Sequence, residues 1–244
     1  MNDHKSFFQF QQFSVWHDRC AMKVGTDGVL IGSWCGVEGA ETALDVGCGS
    51  GLIALMLAQR NPSLQVLGID IDEAAVSQAQ ENFQRSPFAD RLKTECADFT
   101  RSPLVESSPL GELEGAFSLI VSNPPFYKED TKAPDQLRAH ARHSTSLPFD
   151  TLIRHSAELL AADGHLAVIL PNSAASDFIL TARTSGLHLQ RRCDVRTTAQ
   201  KPFKRTMLEL GFNQRETHFE ELTLHTSDGD LSSEYKTLTS AFYL

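Results

Sequence analysis

The sequence predicts an α/β fold: a seven-stranded, mostly parallel sheet with helices on both faces and a short N-terminal extension. Three observations predict it. From residue 43 onward, short apolar runs alternate with helical patterns, as in successive strand–helix–strand units. Three glycines stand between the first run and the first helical pattern, where strand must turn sharply into helix. The last two runs follow a helical pattern with no helix between them, which reads as a hairpin ending a doubly wound sheet. In chain order, Phe8, Phe10, Phe13 and Val15 mark an extended stretch, and Thr26 is placed to cap a helix over 27–34. Strands are expected at 43–46, 66–69, 92–96, 117–121, 165–170, 187–195 and 206–212, with helices over 52–60, 73–84, 149–162 and 174–184. The stretch 101–115, with its Pro, Ser and Gly, reads as a surface loop. No repeat or low-complexity tract interrupts the chain, so one domain is expected over 1–244, with 1–40 as extension and 41–244 as core.

At 244 residues, 41% hydrophobic and 22% charged, the chain can bury a large core without metals or disulfides. Its longest purely apolar run, Leu52 to Ala58, is far short of the ~20 residues of a membrane span. The N-terminus lacks the apolar core of a signal peptide, so no membrane partner and a cytoplasmic location are expected. Cys20, Cys35, Cys48, Cys96 and Cys193 show no C-x-x-C spacing and read as reduced thiols. The nine histidines, His140 and His143 among them, show no metal-ligand spacing, so no metal is expected. Trp16 and Trp34 read as core residues. The net charge of −9 is unevenly spread: Arg138 to Arg205 holds 10 basic residues against 5 acidic ones, and the rest holds 12 against 26. A basic face on an acidic protein would steer an anionic partner, although solvated loop charge is an equal reading.

The segment Ala43–Gly51, ALDVGCGSG, brings backbone and a helix N-terminus together where a polar or anionic ligand could approach closely. A dinucleotide fingerprint needs its third glycine at position 52, which is Leu, so nicotinamide and flavin cofactors are disfavoured. G-x-G-x-G preceded by Asp45 resembles instead motif I of S-adenosylmethionine-dependent methyltransferases, which would place Asp45, Gly47, Cys48, Gly49 and Gly51 at the cofactor. Alone, such a loop could equally be a tight turn. Asp70 ends the second core strand 23 positions after Gly47, where an acid can accept from both ribose hydroxyls of a nucleoside. Asn123-Pro124-Pro125-Phe126 follows an apolar strand and resembles motif IV of methyltransferases acting on planar NH2 nitrogens. The residue types suit that chemistry. An exocyclic amine is a poor nucleophile because its lone pair is delocalised; the Asn123 side-chain oxygen and the Pro124 carbonyl can accept its two hydrogens and favour a tetrahedral nitrogen. Proline pre-aims the carbonyl, and Phe126 would stack on the base.

The stretch His17 to Gly28 (HDRCAMKVGTDG) is similar to the N-terminal signature of bacterial tRNA1(Val) adenosine-37 N6-methyltransferases, and the similarity continues through LIALMLAQR, NPPF and the closing SEYKTLTSAFYL. The resemblance implies a Rossmann-like class I methyltransferase whose extension carries a motif-X-like segment. It implies S-adenosylmethionine as cofactor and tRNA as partner, in a monomeric protein. Lys23, Gly25 and Thr26 would lie near the methionine end of the cofactor, Ile71 on the adenine face, and Asp98 and Phe99 at the adenine amino group and ring. The family often has Tyr where this chain has Phe126, and 201–205 matches closely only at Pro202 and Arg205. Lys128 and Lys132, just past the tetrapeptide, sit in a loop that could close over the substrate, and Lys128, Arg191, Arg196, Lys201, Lys204 and Arg205 are candidate RNA contacts. A guanine-N2 RNA methyltransferase and a glutamine-amide methyltransferase remain rivals on chemistry, and a non-catalytic cofactor- or RNA-binding module is a third reading.

Overall fold

The computed structural model describes residues 7–20, 23–101, 113–125 and 147–243. Strands β1 (Phe7–Gln9) and β2 (Ser14–Trp16) form a small antiparallel hairpin ahead of helix α1 (Thr26–Trp34). The core then runs β3 (Thr42–Val46), α2 (Leu52–Arg60), β4 (Gln65–Asp70), α3 (Glu73–Gln84), β5 (Leu92–Cys96), β6 (Phe117–Ser122), α4 (Phe149–Leu159), β7 (Leu160–Pro171), α5 (Ala175–Thr184), β8 (His188–Arg196), β9 (Arg205–Gly211), β10 (His218–Thr223) and α6 (Ser233–Thr239).

The sheet has eight strands in the order β10-β8-β9-β7-β6-β3-β4-β5, where seven were expected. Only β9 runs against its neighbours β7 and β8, so the sheet is mostly parallel. The extra strand, β10, adds to β8 in parallel register at the sheet edge. Only Leu222 of its side chains is buried, so it carries almost no apolar period to read, and backbone pairing defines it. Two other expectations shift. The helix expected over 149–162 stops at Leu159, because Leu160 already pairs with Phe117 at the start of β7. Helix α1 is preceded by Gly25 as its cap, so Thr26 is its first residue and no side chain caps it.

Apolar side chains leave both sheet faces, as a doubly wound sheet requires. One cluster packs α1, α2, the N-terminal hairpin and the C-terminal segment on one face; the other packs α4 and α5 on the opposite face. Every residue from Leu52 to Ala58 is buried, so the longest apolar run is a helix enclosed on all sides. Trp34 is buried as expected, whereas Trp16 is half-buried beneath the Arg85 guanidinium, 5.2 Å from the ring.

The two ends of the chain meet. Gln11 N donates to Phe242 O at 2.9 Å and Phe10 stacks on Tyr243 with centroids 5.9 Å apart, while Gln59 Nε2 of α2 donates to Ala241 O at 2.6 Å. No helix among the described residues is long and apolar enough to cross a membrane.

Candidate active site

Parallel strands leave their carboxyl ends along one edge, where a crevice opens beside the strand whose neighbours lead off in opposite directions. Here that strand is β3, between β4 and β6. A cavity of about 580 Å³ lies there. It is lined by Gly47, Cys48, Gly49, Asp70, Ile71, Asp98, Phe99, Asn123 and Pro124 from the core, and by Lys23, Gly25 and Thr26 from the N-terminal side.

Gly47, Gly49 and Gly51 all take left-handed φ values, +74°, +54° and +78°. Their surroundings differ. A Cβ added at Gly47 or Gly49 would meet nothing within 4 Å, whereas one at Gly51 would collide with the Phe83 ring. Two glycines therefore leave a cradle open, and the third lets the loop close onto α3. Gly51 does not line the cavity, which corrects its expected place at the cofactor.

Asp70 holds the loop and faces the cavity. Its Oδ2 accepts from Gly49 N at 2.9 Å and its Oδ1 from Asp72 N at 3.0 Å, which orients the carboxylate and leaves each oxygen further lone-pair capacity. Beside it Ile71 is 53% exposed, an apolar side chain held at the rim with little cover. Asp98 accepts from Thr100 N (2.9 Å) and Thr100 Oγ1 (2.6 Å) and pairs with Arg101 at 3.3 Å. Partial burial works to raise its carboxyl, but the Thr100 hydrogen bonds and the Arg101 charge outweigh it and hold the group below its usual value. Phe99 is buried, and its carbonyl lies 2.9 Å from His155 Nδ1.

Asp45 departs from expectation. It is fully buried and does not reach the cavity; Oδ2 accepts from Ala54 N at 3.1 Å, which satisfies an early N–H of α2, and Oδ1 has no partner among the described residues. Burial pushes its carboxyl up to about 7. Burial raises the thiols at the site, Cys20 to about 11 and Cys48 well above the usual thiol value, which disfavours the thiolate form of each.

Asn123 and Pro124 follow β6, whose last residue, Ser122, donates through Oγ to Val46 O at 2.8 Å and so ties the two strand ends together. Pro124 is buried, Asn123 is half-buried and Pro125 is exposed. No protein group among the described residues takes up the Asn123 side-chain amide. Phe126, Lys128, Lys132, His140 and His143 lie outside the described residues.

The basic residues separate into two groups. Pro171 of β7 pairs with Arg205 of β9, so the loop 197–204 between β8 and β9 emerges at the same sheet edge as Asn123. Lys201 and Lys204 are exposed there. Arg205 Nε donates to Asp27 Oδ2 at 2.8 Å, and Asp27 lines the cavity, a contact that nothing in the sequence announced. Arg196 lies 3.2 Å from Glu221 and over the Phe203 ring at 4.9 Å. Arg191 is no surface phosphate contact. It donates to Glu220 at 2.5 and 3.2 Å and to Trp34 O at 3.0 Å, with its guanidinium 4.1 Å over the Trp34 ring. Among the described residues no cluster of three or more His, Cys, Asp or Glu could hold a metal ion.

Residues 35–189 match the family model described as methyltransferase small domain. A tRNA1(Val) (adenine(37)-N6)-methyltransferase of Bacteroides thetaiotaomicron is 43% identical over 239 residues, 98% of this chain and 97% of the relative. One of Yersinia pseudotuberculosis is 41% identical over 238 residues, 97% of this chain and 92% of the relative. Among solved structures, a predicted O-methyltransferase of Agrobacterium tumefaciens superposes with a TM-score of 0.69 at 15% identity, covering 88% of this chain and 96% of its own, a likeness of fold.

Proposed function

The chain belongs to the tRNA1(Val) (adenine(37)-N6)-methyltransferase family, and from that premise we propose that it methylates N6 of adenosine 37 in a valine tRNA with S-adenosylmethionine as donor. The observation that carries the reading is the meeting, in one cavity, of an open glycine cradle with the paired acceptors of Asn123 and Pro124. The cofactor's site passes a test of fit. Gly47 and Gly49 leave space that any side chain would fill, Asp70 offers free lone pairs beside it, and Ile71 offers an uncovered apolar face.

Asp70 would accept from the ribose hydroxyls, Ile71 and Phe99 would flank the adenine ring, and Asp98 would take its amino group. Lys23, Gly25 and Thr26 would meet the methionine end, where the first turn of α1 adds free N–H groups. Bound there, S-adenosylmethionine would supply an electrophilic methyl group to N6, its sulfonium leaving as a neutral thioether and the proton lost by the methylated amine passing to water. The Asn123 oxygen and the Pro124 carbonyl would accept the two amine hydrogens and hold the nitrogen lone pair toward the cofactor, which favours the transition state over the flat ground state. Holding both reactants in line supplies much of the acceleration. Phe126 would stack on the adenine.

Lys201 and Lys204, at the same edge as Asn123, would contact tRNA phosphates, with Arg205 and Arg196 beside them. The test is methyl transfer from labelled S-adenosylmethionine to total tRNA lacking this modification, followed by nucleoside mass spectrometry. N6-methyladenosine in a single valine tRNA is the expected product; label in guanosine, or in protein glutamine, would keep the cofactor and overturn the substrate.

A further inference from the structure

We infer that Asn82 is a positioning residue for the cofactor: its side chain locks the N-terminal segment that walls the cavity onto the glycine loop, so that closing the wall and shaping the cradle are one event. The inference rests on the cofactor reading above.

Asn82 lies on α3, has no exposed surface, and is placed on neither the strand ends nor the cavity wall. Its Oδ1 accepts from Trp16 N at 2.9 Å, while Nδ2 donates to Trp16 O at 2.8 Å and to Ser50 O at 2.8 Å. One amide thus clamps both backbone groups of Trp16 and reaches across to the carbonyl between Gly49 and Gly51. It uses its full donor capacity in doing so. The neighbouring contacts share this division. One turn earlier on the same helix, Gln78 Oε1 accepts from Arg19 N at 3.3 Å, and Arg19 pairs with Glu81. Ala79 and Phe83 of α3 form the surface on which Gly51 sits. The helix therefore holds the N-terminal segment with one set of side chains and the glycine loop with another, and Asn82 alone bonds to both.

The Ser50 carbonyl is where this bears on the ligand. Ser50 lines the cavity, its peptide lies between cradle-forming Gly49 and the left-handed Gly51, and Gly49 N is already held by Asp70. Asn82 fixes the loop on the side that Asp70 does not reach. Continuing from Trp16, the chain supplies Cys20 and then Lys23, Val24 and Gly25 to the cavity wall. Without the clamp, Trp16 N, Trp16 O and Ser50 O would lose their partner together, and wall and cradle would be ordered separately when ligand arrives. That ordering cost would fall on cofactor affinity and leave the amine-holding pair, Asn123 and Pro124, untouched.

The test compares the wild type with Asn82→Ala and Asn82→Asp. The aspartate variant keeps the shape and the acceptor for Trp16 N and loses both donated bonds. Calorimetric titration with S-adenosylmethionine is expected to weaken about ten-fold or more in both variants, with kcat at saturating cofactor within about three-fold of wild type. In the wild type alone, the cofactor is expected to slow hydrogen exchange at the Trp16 and Arg19 amides. A wild type that binds the cofactor without slowing those amides would overturn the coupling and spare the cofactor reading. So would folded variants with wild-type affinity and only a lower melting temperature, which would leave Asn82 a packing residue. A wild type that binds no S-adenosylmethionine would overturn the cofactor reading and this inference with it.

Discussion

The cradle side of the cavity and the basic edge formed by β8 and β9 are both conspicuous in the sequence, yet they are built on opposite principles. On the cradle side, Asp70 and Asp98 are oriented by backbone N–H groups two residues further on or by the adjoining glycine loop, so motif spacing maps directly onto geometry. At the basic edge the partners are distant: Arg191 pairs with Glu220, Arg196 with Glu221 and Arg205 with Asp27. Arg192 alone finds its acid nearby, in Asp194. A local excess of basic residues therefore overstates free charge, because four of these arginines are neutralised within the protein. Among the described residues of this edge, exposed Lys201 and Lys204 pair with no acid and stay open to an anionic partner.

Substitutions can break this contrast, and the largest effect is expected on the cradle side. Asn123→Ala is expected to lower single-turnover methylation by about 10²-fold or more while cofactor affinity, read by calorimetry, stays near wild type. Unchanged turnover would take the acceptor role away from it. Asp70→Ala should weaken cofactor binding by about 10- to 100-fold, the scale for losing charge-assisted hydrogen bonds; an unaltered dissociation constant would move the ribose contact elsewhere.

The basic edge should respond selectively. Replacing Lys201 and Lys204 with alanine is expected to flatten the salt dependence of tRNA binding, by a log–log slope of roughly 0.7–0.9 for each phosphate that is no longer neutralised. Arg191→Ala, by contrast, should leave that slope unchanged and lower the melting temperature, because it leaves Glu220 with the Trp34 indole but without its paired charge and uncovers the Trp34 ring. A change of slope in Arg191→Ala would erase the distinction between committed and free arginines.

The smallest effect concerns Asp45. Its carboxyl is raised from an ordinary 3.8 to about 7, so between those values the folded protein keeps a proton that the unfolded chain releases. Stability therefore falls as pH rises through that window and levels off above it. From about pH 6 to pH 8 the loss is on the order of 1 kcal/mol. Asp45→Asn, whose oxygen can still accept from Ala54 N, is expected to remove this slope in denaturant titrations, and a slope unchanged from wild type would place the titrating group elsewhere.

Much of the fold could be read from the sequence because strands β3, β4, β6, β7 and β9 carry apolar runs with buried faces. Strand β10 could not be read, since His218, Phe219 and Glu221 are exposed and pairing with β8 is a property of backbone. The placement of Asp70, Asp98 and Asn123 around one cavity was legible because each closes or follows a strand. The site was illegible where function depends on distant contacts. Asn82 meets Trp16 across 66 residues, Asp27 meets Arg205 across 178, and nothing in the local pattern of either pair marks it. Asp45 shows the reverse error, a motif residue turned inward to serve a helix end.

The meeting of the two chain ends sets an order of events during synthesis. The N-terminal hairpin leans on Ser240, Phe242 and Tyr243 through Gln11 and Phe10, so its final seat is assembled only once those residues have been made. A segment translated early thus completes its packing only when α6 and the residues after it arrive. On the ribosome, a nascent chain with β3 to β9 already folded would hold that segment through Gln78, Glu81 and Asn82 of α3, and would gain its remaining support once Tyr243 has cleared the exit tunnel.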